Sequence, residues 1–196
     1  MDYILGKKYA EEIMELLWDS CDRIEIAGGI RRKKEEPHDI ELVLQPTFLP
    51  TVDAFGNTDY ENTANVLDYK IKDLLKSGTL SPGDPDKAGK KAPCGEKYYR
   101  LKYKNEKLDI FSVIDPAQWG TLFLIRTGDA DFSHEFVLRL WKFGLKSVDG
   151  HIENAMGQTI DTPEEEDCFK LLKMPYIEPE QRTKQIFFAK IESVSK

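Results

Sequence analysis

The stretch from Gly28 to Leu44, GGIRRKKEEPHDIELVL, constrains this chain more than any other. Arg23 to Ala27 alternates as a strand, and Gly28-Gly29 breaks it. Four cations follow from Arg31 to Lys34, and His38 to Leu44 then reads as a second strand that carries Asp39 and Glu41. Strand residues i and i+2 share a face, so the two carboxylates point one way while Ile40 and Leu42 point into a core. Adjacent anions repel, and strands disfavour acids. A divalent cation between them relieves that conflict, and magnesium takes one or two carboxylates together with substrate phosphates. Taken alone, the pair suits the wet face of an edge strand equally well.

Asp109, in KLDIFSV, is a third acid flanked by apolar residues in an expected strand. If that strand lies beside the one bearing Asp39, three carboxylates meet, enough to hold two metals about 3.5–4 Å apart for an in-line displacement at phosphorus. The glycines fit the same chemistry. A strand ending in Gly-Gly lets backbone N–H groups approach a phosphate, with Arg31 and Arg32 to neutralise its oxygens. A glycine pair is usually only a turn and a basic run only a solvated face. Acids ten residues downstream make the combination specific.

The rest of the chain reads as a mixed α+β protein of one compact domain or two small subdomains. Helices are expected over Tyr3–Trp18, Asn65–Lys76, Pro116–Ile125 and Phe132–Phe143. A further helix opens at Thr162-Pro163-Glu164-Glu165, with Thr162 as N-cap, and ends before Pro175. Lys97–Tyr103 and Lys107–Ile114 read as a hairpin, Leu145–Met156 as short strands, and Phe187-Phe188 as a strand packed on the sheet. Gln45–Asn62 and Ser77–Gly95 read as surface loops. The latter's GDPDKAGKK is no phosphate loop: its glycines are one residue too far apart, and Lys91 stands where Ser or Thr is required. Trp18, Trp119, Trp141 and Phe143 read as core rather than as base-stacking platforms.

Net charge is −7, which weighs against indiscriminate nucleic-acid binding. Eight cations between Lys87 and Lys107 nevertheless form a local basic face, and screening limits the reach of distant charge to about 10 Å. The odd count of three cysteines, far apart, argues against a disulfide framework and a Cys-rich zinc site. No apolar run spans a bilayer and no secretion signal opens the chain, so no membrane partner, a cytoplasmic location and a monomer are the defaults.

GGIRRKKEEPHDIELV resembles the stretch of family X DNA polymerases, of the polymerase β-like nucleotidyltransferase superfamily, in which a Gly-Ser turn and paired arginines precede two metal-binding acids. KLDIFSV is similar to the strand with the third acid, and LFLIRTGDADF to the segment around the Thr-Gly turn beside the incoming nucleotide. GQTIDTPEEEDCFKLLKMPYIEPEQR resembles the closing helix and its Glu-Pro-rich end. The implied fold is a nucleotidyltransferase palm with a mixed sheet and flanking helices over 1–126, plus a small α/β C-terminal nucleotide-covering subdomain over 127–196. No lyase or helical DNA-binding domain is matched, a reduced plan shared by small family X polymerases of large DNA viruses.

By resemblance, Asp39 and Glu41 ligate two Mg2+ ions, with Mn2+ able to substitute. Asp109 ligates the catalytic ion and orients the attacking hydroxyl. Gly28, Gly29 and Arg32 hold a nucleoside triphosphate. Thr127 and Gly128 line its sugar, and Phe132 and Ser133 flank the base or minor-groove edge. The expected reaction adds nucleotides to a DNA 3′-hydroxyl with release of pyrophosphate, as in gap filling or DNA repair, and Lys97, Arg100, Lys102 and Lys104 grip the DNA. Departures from the family touch the pocket: Glu41 for Asp, Gly29 for Ser, Ile125-Arg126 for an aromatic pair, Ala130 and Ser133 for polar groups, Val137 for an arginine. Two other readings stand beside this one. The first is the same chemistry on RNA, protein or a small molecule, and the second is a non-catalytic nucleotide- or DNA-binding module.

Overall fold

The computed structural model describes residues 1–52, 55–85 and 87–194. Helix α1 (Tyr3–Leu17) starts at Asp2, whose Oδ1 accepts the Leu5 N–H at 2.9 Å, and it buries Gly6, Ala10, Ile13 and Leu17 along one stripe. Strand β1 (Cys21–Ile26) runs into a single helical turn, α2 (Gly28–Arg31), and β2 (Ile40–Pro46) follows. Asp39, expected inside this strand, therefore lies one residue before it.

The expected loop over Gln45–Asn62 is instead largely a separate antiparallel ribbon, β3 (Phe48–Val52) against β4 (Thr58–Asn65). Phe, Val, Thr and Tyr in this segment are strand formers, and the intervening Pro, Gly and Asp obscured their pattern. Helix α3 (Val66–Lys76) is capped by Asn65. The second expected loop contributes two short strands, β5 (Ser81–Pro82) and β6 (Cys94–Gly95). Asp53, Ala54 and Asp86, which fall within those expected loops, lie outside the described residues. The hairpin is as expected: β7 (Tyr98–Tyr103) and β8 (Glu106–Ser112) turn through Lys104 and Asn105, with φ of 49° and 68°.

Asp115 then caps a 3-10 turn that leads into α4 (Trp119–Thr127), and Asp129 caps α5 (Ala130–Lys142). Strands β9 (Lys146–Val148), β10 (His151–Glu153) and β11 (Thr159–Ile160) make a small antiparallel sheet. Helices α6 (Glu165–Leu171) and α7 (Lys184–Val194) follow. Two expectations in this part need correction, the Thr162 cap and a strand at Phe187-Phe188. Thr162 is not the cap of α6; Glu164 and Asp167 form a capping box there, and the buried Thr162 hydroxyl meets Thr121 Oγ1 at 2.6 Å. Phe187-Phe188 is helical, and Phe187 packs edge-on against Phe132 with ring centres 5.3 Å apart.

The main sheet has strand order β1-β2-β8-β7-β5, with β6 also on β7. It is mixed: β2 and β8 run parallel and the other neighbours antiparallel. Alternation sorts its two faces. Ile40, Leu42, Leu44, Leu108, Ile110, Tyr99 and Leu101 meet α1 and α3 in one core. Val43 and Phe111 face the other way, towards Trp119 and Phe123 of α4. A third core joins Leu124 to Phe132, Phe136, Phe169 and Phe187 in the C-terminal part. Helix α4 is thus shared between the sheet and the C-terminal core. Trp18 and Trp141, expected in a core, are 68% and 65% exposed, whereas Trp119 is buried and Phe143 half-buried against the third core. No helix among the described residues is long and apolar enough to cross a membrane.

Candidate functional site

The site begins at the glycine turn. The Ala27 N–H donates to the Glu41 carbonyl at 2.8 Å, which ties the end of β1 to β2. Gly28 then adopts φ +59°, and a Cβ there would overlap the Glu41 carboxylate. Glycine is required at this position for two independent reasons, a left-handed backbone and a side chain pressed against it. In the structure the closest partner of Gly28 is thus one of the candidate acids. Gly29 sits under Pro37.

The register of the sheet brings two of those acids together. Glu41 on β2 is the direct parallel partner of Asp109 on β8, both on the α4 side, and Asp39, just before β2, lies close enough for its charge to act on Glu41. Burial raises the Glu41 carboxyl to about 7, and the charges of Asp39 and Asp109 push in the same direction against Arg32 and Arg126. Asp39 is likewise raised, by burial first and then by Asp109. The Asp109 carboxylate is turned towards β7: Oδ1 accepts the Tyr98 hydroxyl at 2.9 Å and Arg100 Nε at 3.1 Å. With Glu41 leaning on Gly28 and Asp109 on Arg100, the acids do not close into a chelate. Among the described residues, no three His, Cys, Asp or Glu side chains are gathered tightly enough to hold an ion.

Glu41 and Asp109 open onto a cleft of about 780 Å³ between the sheet and the C-terminal part. Its walls include Lys97, Tyr98, Arg100, Phe111, Arg126 and Val137. Charge of both signs over an aromatic floor suits a polyanion bound with cations. Tyr98 stacks on Phe111 at 4.9 Å, and burial raises its phenol to about 12, so it remains a hydrogen-bond donor to Asp109 at neutral pH.

The two arginines of the turn have separate fates. Arg31 is committed to the protein: it donates to Glu165 through both terminal nitrogens at 2.7 Å and to Thr127 Oγ1 at 2.7 Å, and it lies over the Phe123 ring. It is therefore a structural cation rather than the phosphate ligand suggested by its position. Glu165 also receives both terminal nitrogens of the fully buried Arg182. Burial works against ionisation of Glu165, but Arg31 and Arg182 outweigh it and hold the carboxyl below its ordinary value. Arg32 donates to the Thr127 carbonyl at 2.5 Å, which joins the turn to the end of α4.

The nucleotide-pocket candidates are correspondingly built into the structure. The Thr127 side chain is buried against Arg31, and Ser133 Oγ donates to the Ile125 carbonyl at 2.9 Å. Gly128 ends α4, where a Cβ would press on Phe132 and Ser133. Phe132 itself lies fully inside the third core rather than on an open wall. The basic hairpin divides as well. Arg100 and Lys102 share the carboxylate face, and Lys102 pairs with Asp84 at 2.6 Å. Lys104 lies on the α1 side, bound to Glu12 at 2.7 Å, whereas Lys97 lines the cleft.

Sequence reasoning did not assign roles to Tyr98, Arg126, Glu165 and Arg182. The even-numbered alternation of β7, which puts Tyr98 beside Arg100, was the signal available for Tyr98. Nothing local marks Glu165, an ordinary acid in a first helical turn.

Residues 122–183 match the family model of the DNA polymerase beta thumb. No curated protein sequence matches the chain. Asp39, Glu41 and Asp109 lie outside the matched segment, whereas Arg126, Thr127, Gly128, Phe132, Ser133, Glu165 and Arg182 lie within it. The match supports a relationship to the polymerase β-like, family X proteins.

Proposed function

We propose that this chain is a divalent-metal-dependent nucleotidyltransferase of polymerase β type. In this reading residues 1–126 form a palm and residues 127–196 a nucleotide-covering subdomain. The observation that carries the proposal is Glu41 standing opposite Asp109 on parallel strands, with the charge of Asp39 acting on both, at a cleft walled by the thumb-like segment. The donor set is all carboxylate oxygen, the chemistry a hard ion such as Mg2+ takes, with Mn2+ as substitute. Burial first, and the neighbouring carboxylate charges second, raise the Glu41 and Asp39 carboxyls, and bound cations would offset both.

Asp39, Glu41 and Asp109 would hold two ions, Asp109 exchanging its bond to Arg100 for that role. Bound ions supply Lewis-acid stabilisation of phosphate charge and activation of the attacking hydroxyl. The chain's own groups bind and orient. Arg32 and the Gly28-Gly29 turn hold the triphosphate, the Thr127-Gly128 backbone lines the sugar, and Asp109 orients the acceptor 3′-hydroxyl. That oxygen attacks the α-phosphorus, the bond to the bridging oxygen breaks, and pyrophosphate leaves. DNA is the acceptor this reading favours, with gap filling as the corresponding task.

One observation favours a second acceptor class. Arg100, Lys102 and Lys104 are each paired with an acid, so little of the basic hairpin stands free for a DNA backbone. A labelled-nucleotide assay on gapped DNA, single strands, transfer RNA and protein separates the two readings. Labelling of DNA ends is expected. Exclusive labelling of another acceptor removes the polymerase reading, and no labelling of any acceptor removes the transferase.

A further inference from the structure

The cleft wall holds one cation whose hydrogen-bonding capacity the protein leaves unused. Arg126 lies in the last turn of α4, its guanidinium carbon 3.9 Å above the centre of the Phe111 ring. Its Nε is buried and has no hydrogen-bond partner. The backbone around it is pinned on both sides: the Ile125 carbonyl accepts Ser133 Oγ, and the Thr127 carbonyl accepts Arg32. Arg126 is therefore presented to the cleft from a fixed position, on the side where Glu41 and Asp109 open. Ser112 lines the same cleft, and its buried hydroxyl also lacks a partner.

A flat guanidinium laid on an aromatic ring keeps its edge free to donate parallel N–H bonds, the geometry that matches phosphate oxygens. Leaving a buried N–H unmade is costly, so such a group implies a ligand that satisfies it. Charge points the same way. The two carboxylates beside Arg126 are its present electrostatic partners. Were those carboxylates engaged with cations, Arg126 would need another anion. The geometry points to Arg126 as a phosphate-receiving residue of this cleft, its guanidinium over Phe111 and its unpartnered Nε on the side where Glu41 and Asp109 open. This inference rests on the nucleotidyltransfer reading and deepens it, because it assigns a substrate contact at that site to a position the family resemblance marks only as a departure.

The phosphate has two sources, the incoming nucleoside triphosphate or the backbone of the acceptor strand, and binding measurements separate them. The full chain is titrated in Ca2+ with a fluorescent nucleoside triphosphate, with the corresponding nucleoside, and with a short single-stranded oligonucleotide. Each titration is repeated with Arg126→Met, which keeps the stem over Phe111, and with Arg126→Lys, which keeps the charge and loses the fork. Circular dichroism confirms folding. Expected is a loss of at least about tenfold in affinity with Met for the triphosphate or for the oligonucleotide, with Lys intermediate and the nucleoside unaffected. The ligand that weakens identifies the source. Affinities within about twofold of wild type for both phosphate ligands overturn the inference and leave nucleotidyl transfer standing. Should the Met variant fail to fold, unchanged affinity in the Lys variant has the same meaning. A wild-type chain that binds neither phosphate ligand overturns the transferase reading, and this inference with it.

Discussion

The Glu41 carboxylate fills the space that a side chain on Gly28 would need, so the glycine turn and the acid thirteen residues on are parts of one device. Gly28 also sits at φ +59°, where an L side chain costs roughly 1–2 kcal/mol. Gly28→Ala should lower stability by at least that amount and displace Glu41 from its position opposite Asp109. A lower Tm together with lost nucleotide transfer is the expected result. Unchanged transfer would mean that the position of Glu41 is not used.

Asp109→Ala removes the acid on β8 while leaving Tyr98 and Arg100 on an open face. The variant should fold, bind a nucleoside triphosphate nearly normally and lose transfer. Full activity in this variant contradicts the assignment of Asp109 to the chemistry.

The pH dependence has a definite sign. The Glu41 carboxyl is raised to about 7 from an ordinary value of 4.5, and Asp39 is shifted in the same direction. Their contribution to stability is fully present below their unfolded values and is lost as pH rises through the folded ones. For Glu41 the span is at most about 3 kcal/mol. Without divalent ions the Tm should fall between about pH 5 and 8, less so in Glu41→Gln, and millimolar Mg2+ should restore it at pH 8. Thermal melts with and without EDTA check this, and a Tm indifferent to Mg2+ at pH 8 counts against an ion at Glu41.

Arg100 competes with any cation for Asp109. Its side chain is about half exposed, so the pair is worth roughly 0.2–1 kcal/mol. Arg100→Ala should tighten Mn2+ binding by up to about fivefold while weakening oligonucleotide binding. Titration calorimetry with Mn2+ measures the first effect. Weaker Mn2+ binding would show that Arg100 supports the site instead of restraining it.

Glu165 lies between Arg31 and the buried Arg182 and accepts from both. Glu165→Gln keeps the shape and strands two guanidinium groups, so a loss of about 3–5 kcal/mol is expected. Denaturant unfolding of the variant measures it. A loss below about 1 kcal/mol would show that the arginines find other partners.

How much of this was legible in the residues differs from element to element. Strand alternation put Glu41 on the face opposite Ile40 and Leu42, because a period of two is a purely local property, whereas Asp39 fell just outside the strand. The Lys104-Asn105 turn marked its hairpin by an equally local rule, whereas the one cap read from the residues, Thr162, gave way to Glu164. What no local rule contained was partnership at a distance. Parallel register set Glu41 against Asp109, strand order gave Asp109 to Arg100, and docking of α6 on α4 claimed Arg31 for Glu165 and left Arg126 facing the cleft. The chain alone decided which groups could carry charge and on which side of their own element they stand. Only tertiary packing decided which opposite charges those groups would meet, since electrostatic partnership depends on separation in space and on exclusion of water, neither of which is written in neighbouring residues.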